Sequence, residues 1–300
     1  MPRPGEARVA VTGKPALDRL FLRRALRAAR DATGHTQAEV ADAMGWSSSK
    51  LLRIESGQFG IRMNDLVALL DFYKISDEDE VTRLRGYAPG SRVDDWDKYR
   101  HVLKPEYRAY LSLEGIATRI RHFHPIVVPG LLQTPGYVRR GIEAFAPPGT
   151  DPDVQQLQRA ARLQRQEQIL AAPDSPDVHF ILDEAVIRRI ADNTARDDVH
   201  RGQLEHLLAI SRRPGITLQV LPFDRSLYPG MGSPFTILDL PDGDTRGDYI
   251  YLEQSRANSA LRDERTDVDQ YHDIFATLSS LALSPEGTAA LITKLLAGGD

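Results

Sequence analysis

The sequence contains no cysteine. That excludes disulfides, thiol nucleophiles and cysteine-ligated zinc. No apolar run approaches the ~20 residues that span a bilayer. The start, MPRPGEARVAVTGKP, has no apolar core of the signal-peptide kind. These absences predict a cytoplasmic protein that does not engage a membrane. Catalytic signatures are missing too: there is no G-x-S-x-G elbow, no P-loop, no G-x-G-x-x-G after a strand pattern and no H-E-x-x-H. Paired carboxylates occur, but a chain with 42 acidic residues forms them by chance. The reading is therefore not an enzyme, with no cofactor implied. Internal repeats and low-complexity tracts are also absent.

What is present suits a globular chain of two domains. Its 300 residues are 41% hydrophobic and 27% charged, and that length is more than one core usually organises. The net charge of −4 is unevenly spread. Residues 1–76 hold 12 Lys+Arg against 8 Asp+Glu, and the remainder holds 26 against 34. A modestly basic head on an acidic body fits a DNA-binding head joined to a partner domain that does not bind DNA.

Residues 1–14 read as a flexible arm. Helical spacing of Leu22, Leu26 and Ala29 predicts a helix from Pro15 to Thr33, ended by Gly34. Thr36-Gln37-Ala38-Glu39 is a capping box, and Val40, Ala41 and Met44 give the helix it opens an apolar side. Gly45 permits a tight turn. A third helix follows with Ser47 as its cap, Leu51 and Ile54 facing inward and Gly57 beyond its end. A fourth is expected at Met63–Tyr73 and a fifth near Asp77–Arg85. Residues 91–110, rich in charge and turn formers, read as a linker.

The run Ser47-Ser48-Ser49 opens the third helix, with Lys50 and Arg53 behind it. Two short helices about a glycine turn, flanked by further helices, form the helix-turn-helix pattern, whose second helix enters the major groove N-terminus first. Small hydroxyl residues fit there against base edges and phosphates, while Arg53, one turn later, has reach for a guanine edge. The bland alternative is that the serines only cap a buried helix.

The motif TQAEVADAMG…SSSKLLRIESG, within Leu20–Lys74, resembles the Xre family of bacterial and phage repressor domains. The resemblance implies a phosphate contact at Gln37 and base reading at Ser48, Ser49 and Arg53. It implies capping or backbone contacts at Ser47 and Lys50, and a phosphate contact at Arg62. It also implies an internal ion pair, Arg30–Glu55. His35 departs from the pattern, which has an aliphatic residue there, and predicts a slightly looser core.

The second half alternates helices with short strand patterns and predicts an α+β domain over 111–300. Strands are expected at His122–Val128, Val178–Leu182, Ile216–Leu221, Phe235–Leu240 and Asp248–Leu252. Helices are expected at Pro135–Phe145, Asp153–Leu170, Glu184–Ile190, Arg201–Arg212, Thr266–Leu283 and Pro285–Leu296. Four features carry possible chemistry. His122 and His124 share a strand face, a geometry that can hold a metal, against solvated or hydrogen-bonded histidines. Arg162, Arg165 and Gln166 share a helix face and suit an anionic ligand, against interdomain or intersubunit salt bridges. Asp183-Glu184 sits at a strand-to-helix junction where Asp183 is an ordinary N-cap. Phe223, Tyr228, Met231 and Phe235 cluster with two glycines as an apolar ligand lip, or as a loop tucked onto the core.

In order, PIVVPGLLQTPGYVRRGI, RLQRQEQIL, LDEAVIRR, GITLQVLPF and GSPFTILDL resemble the C-terminal domain of unknown function typical of actinobacterial regulators, over residues 111–285. The combined expectation is an all-α helix-turn-helix head of about five helices followed by a larger α+β domain. The protein is read as a dimeric repressor on a double-stranded DNA operator. The second domain dimerises through the helices at 266–296 and senses a small molecule or a small antagonist protein. The alternatives are an antitoxin-like, partner-capturing protein that regulates its own operon, and an enzyme domain fused to a DNA-binding head.

Overall fold

The computed structural model describes residues 15–93, 95–172, 174–194, 197–241, 248–253, 260–262 and 265–298. The expected arm, 1–14, lies outside them. The chain divides into two compact units, Met1–Lys98 and Tyr99–Asp300. The division falls inside the stretch read as a linker.

The first unit is all-α: α1 (Pro15–Thr33), α2 (Gln37–Ala43), α3 (Ser48–Glu55), α4 (Met63–Phe72) and α5 (Glu78–Ser91). Its core takes one apolar stripe from each helix, including Leu22 and Leu26, Val40, Leu51 and Ile54, Leu66 and Leu69, and Leu84. Gly45 (φ +64) turns α2 into α3, a left-handed conformation that glycine adopts without steric cost. The capping box forms as expected. Thr36 Oγ1 accepts from the Glu39 amide at 3.3 Å, and the Glu39 carboxylate accepts from the Thr36 amide at 2.7 Å.

His35, which departs from the family pattern, is exposed, and its ring rests 5.3 Å from that of Phe72. One expected boundary changes. The fifth helix runs past Arg85 to Ser91 despite Gly86, Pro89 and Gly90. Tertiary contact overrides the local breakers: Arg19 Nε on α1 donates to the Ser91 carbonyl at 2.8 Å. A Cβ at Gly60 would lie 2.2 Å from that same carbonyl oxygen, so only glycine admits the approach.

The second unit is α+β. Its elements are α6 (Pro105–Glu114), β1 (Arg119–His124), α7 (Pro135–Phe145), α8 (Pro152–Gln166), β2 (Asp177–Asp183), α9 (Glu184–Ala191), α10 (Asp198–Ile210), β3 (Ile216–Leu221), β4 (Phe235–Asp239), β5 (Tyr249–Leu252), β6 (Ala260–Arg262), α11 (Arg265–Leu281) and α12 (Pro285–Leu296). The described strands form one mixed sheet in the order β3-β2-β1-β4-β5-β6. β1, β2 and β3 are parallel, and β4, β5 and β6 extend the sheet antiparallel.

The first strand is shifted from the expected His122–Val128. It ends at His124 because Pro125 has no amide for the ladder, so the apolar Ile126-Val127-Val128 is not strand. The three-residue β6 carried no periodicity long enough to predict. Helices α11 and α12 lie where expected but spend their apolar faces within the chain. Val268, Phe275 and Leu278 pack on the sheet residues Phe123, Ile181 and Phe235, and Ile292 and Leu295 of α12 are buried. Strand alternation then sets the site: Phe123 faces α11, so His122 and His124 share the opposite face.

Candidate nucleic-acid interface

Helix α3 presents two faces. Leu51, Ile54 and Glu55 are buried, whereas Ser48, Ser49, Leu52 and Arg53 are exposed. Arg53 folds back along its own helix. Its Nε donates to the Ser49 carbonyl and its Nη2 to Ser49 Oγ, both at 3.0 Å. The guanidinium lies 5.4 Å from the centre of the Phe59 ring. Ser49 and Arg53 thus form one hydrogen-bonding pair on the outer face.

Ser47 occupies the N-cap position with extended backbone, but its side chain does not cap. Its hydroxyl lies 3.1 Å from Ser49 Oγ instead. The capping expected of Ser47 is therefore backbone geometry only, and no Ser47 hydroxyl covers the first amides of α3.

The inner face is locked by charge. Arg30 Nε and Nη2 grip the two Glu55 carboxylate oxygens at 2.8 and 3.1 Å. The Glu55 hydrogen bond, opposed by burial, raises the Arg30 guanidinium above its ordinary value. Gln37 Nε2 joins the same carboxylate at 2.7 Å, so this side chain ties α2 to α3. Lys50 is committed as well. Its Nζ is 3.0 Å from Asp65 and 3.7 Å from the centre of the Trp46 ring. Arg62, at the start of α4, is exposed and makes no side-chain hydrogen bond with the described residues. The sequence reading passed over Leu52, which is 52% exposed. Its phase shows it: with Leu51 and Ile54 inward, Leu52 must face out beside Arg53.

Residues 22–84 match the family model of a helix-turn-helix domain, and residues 107–294 match a domain of unknown function (DUF5753). The chain belongs to the DUF5753 family. No curated protein and no solved structure matches the chain. With α2 and α3 as the two motif helices, the head is a DNA-binding domain and the chain a DNA-binding regulator. Among the described residues no helix is long and apolar enough to cross a membrane.

Within the DUF5753 domain, Arg165 is 8% exposed, and its guanidinium is bound by residues of the same unit. Its Nε and Nη2 contact the Glu114 carboxylate at 2.6 and 2.7 Å, and the Tyr107 and Tyr110 hydroxyls lie 3.0 Å from the guanidinium. Burial pulls Arg165 downward, but Glu114 and the tyrosines more than offset it and hold the charge firmly. Arg162 donates to Gln133 Oε1 at 2.9 Å. Gln166 donates to the Gly130 and Gln133 carbonyls at 2.6 and 2.8 Å.

His122 and His124 are buried rather than solvated, and burial lowers both, His124 to about 3. Both imidazoles are neutral at ordinary pH. The described cluster with metal-ligand spacing lies elsewhere, at Asp239, Asp248 and His272, whose ligand atoms fall within 4.8 Å of one another. Arg121 already supplies a cation there, 2.5 Å from Asp239 and in contact with His272.

Asp183 is the N-cap of α9, accepting from the Ala185 amide at 2.7 Å, and it also accepts from the Tyr228 hydroxyl. Tyr228 and Phe235 pack with the core, while Phe223 and Met231 are exposed at 57% and 45%. The loop is therefore split between core and surface.

Proposed function

We propose that the chain is an Xre-type transcriptional repressor that binds a two-fold-symmetric operator as a dimer. Its DUF5753 domain holds the dimer together and receives the effector signal. The observation that carries this reading is the exposed face of α3 set on a locked inner face. Ser48 and Ser49 offer hydroxyls to base edges and phosphate, and the uncapped amides of α3 suit phosphate as well. Arg53, released from Ser49, reaches a guanine edge, and Leu52 packs on a thymine methyl. Arg62 takes a phosphate. Gln37 ties α2 to α3 through Glu55, and Lys50 ties α3 to α4 through Asp65.

One head buries little surface, so two heads spaced by about one helical turn, ~34–36 Å, are needed for tight binding. The apolar faces of α11 and α12 are already used, so the dimer contact is assigned to the DUF5753 domain as a whole. The test is selection of random duplexes by the full-length protein and by Arg53→Ala at one salt concentration. The expected result is a symmetric motif for the parent, with the variant losing about 1–3 kcal/mol and its base preference. No enrichment, or the same motif from both proteins, refutes the reading.

A further inference from the structure

The DUF5753 domain contains a cavity of about 460 Å³ between β1, α7, α8 and the edge of β5. That is within the range of small-ligand sites. Its wall is polar in an unusual way. Arg140, Arg162, Arg165 and Arg189 all line it, and the one carboxylate among its lining residues is Glu253. Two of these charges are cancelled nearby: Arg165 by Glu114 at 2.6 Å and Arg140 by Asp197 at 2.6 Å. Arg162 and Arg189 are held only by neutral oxygens, Gln133 Oε1 and the Ile126 carbonyl, each at 2.9 Å. Among the described residues the cavity therefore carries two arginines without an acidic partner, and Glu253 is its one lining carboxylate.

The remaining wall is aromatic. Tyr110 stacks on Tyr251 at 4.0 Å between ring centres and on Tyr107 at 5.7 Å, and all three line the cavity. At its floor lies His122, 1% exposed, with its ring stacked on Phe180. His122 Nδ1 pairs with Thr236 Oγ1 at 2.8 Å, but Nε2 has no hydrogen-bond partner. The nearest acidic oxygen, on Glu114, is 3.9 Å away and is already committed to Arg165 and to the Tyr110 hydroxyl. A buried polar nitrogen left unpaired is costly, and here it borders a cavity with room for a partner.

We propose that this cavity binds a small aromatic carboxylate, its anionic group on Arg162 and Arg189 and its ring against the tyrosine wall. A bare inorganic anion would leave the aromatic wall unused. A neutral aromatic would leave the two arginines without an anionic partner. Binding stands independently of the DNA reading, whereas any effect of the ligand on operator occupancy rests on it. No lysine or serine lines the cavity, and the buried carboxylate is taken up by Arg165, so the arrangement favours holding a ligand over transforming one.

The test uses the full-length protein and no DNA, so its failure is separate from failure of the repressor reading. Indole-3-acetate and 4-hydroxybenzoate are titrated by calorimetry, beside their primary amides and inorganic phosphate. Saturable binding of at least one carboxylate is expected, with Kd on the order of 10–100 µM for ligands of this size. The matched amide should bind at least tenfold more weakly. Arg162→Gln and Arg189→Gln should each weaken the carboxylate by about tenfold, with the tyrosine near-UV circular dichroism unchanged to show that the domain is folded. Three binding results overturn the proposal: no saturable binding of either carboxylate, equal binding of acid and amide or of phosphate, or affinity untouched in both variants. Chemical conversion of a bound probe, read by NMR, overturns it in favour of a catalytic site.

Discussion

Removing Glu114 should destabilise the DUF5753 domain and leave the stability of the head unchanged. The Glu114 side chain is 0% exposed and that of Arg165 is 9%, with two carboxylate–guanidinium contacts of 2.6 and 2.7 Å between them. Glu114→Leu strands a buried guanidinium with only tyrosine hydroxyls for company. Breaking such a pair from one side costs about 3–5 kcal/mol. Glu114→Gln falls at the lower end, near 3 kcal/mol, because an amide keeps one acceptor but turns an N–H toward the arginine. With a urea m-value of roughly 2–3 kcal/mol/M, the midpoint drops by about 1 M.

The assay separates the two units through their own chromophores. Both tryptophans, Trp46 and Trp96, lie in the first unit, and eight of the ten tyrosines lie in the second. Tyrosine circular dichroism should report the shift while tryptophan fluorescence keeps its transition. The double variant Glu114→Leu/Arg165→Met should recover most of the loss, because apolar groups of similar volume replace a buried pair at little cost. A shift below about 1 kcal/mol for Glu114→Leu, or no recovery in the double variant, refutes the reasoning.

Other outcomes follow from the same contacts. Glu55→Ala removes the anchor of Arg30 and Gln37 and should cost the head about 2–3 kcal/mol, read by tryptophan fluorescence on heating. Arg62→Ala should weaken DNA binding evenly across sequences and reduce the slope of log K against log salt by about one. His122 and His124 are held neutral by burial, with folded values below the ordinary 6.5 and that of His124 near 3. Their contribution is full above about pH 6.5. It is lost as pH falls toward the folded values, by up to ~1.4 kcal/mol per pH unit for each histidine, because only the unfolded chain takes up the protons. Urea midpoints at pH 7.5 and pH 5.0 measure this, and His124→Gln should flatten the difference.

The helix-turn-helix was legible because its determinants are local. A capping box, a glycine turn and the phase of Leu51 and Ile54 each act within a few residues, so spacing alone placed α2 and α3, whereas the Arg30–Glu55 tie, 25 residues apart, came only from the family resemblance. The same phase also places Leu52 on the outer face. What could not be read was how the side chains would be spent. The family resemblance implies a phosphate contact at Gln37 and a capping or backbone contact at Lys50, yet Glu55 and Asp65 claim their side chains in the fold. In the second unit, periodicity located most helices and strands, and Asp183 was a recognisable cap. The strand ending at His124 was obscured by the apolar residues beyond Pro125.

Sequence by itself determined that this is a two-part chain with an α-helical DNA-reading head, because helix starts, stops and faces follow from short-range backbone and side-chain rules. Tertiary structure alone decided the cavity. Arg165 meets Glu114 across 51 residues, and His122 meets Thr236 across 114. A charge cancelled or left open at such range depends on which strands and helices become neighbours, and no local spacing encodes that.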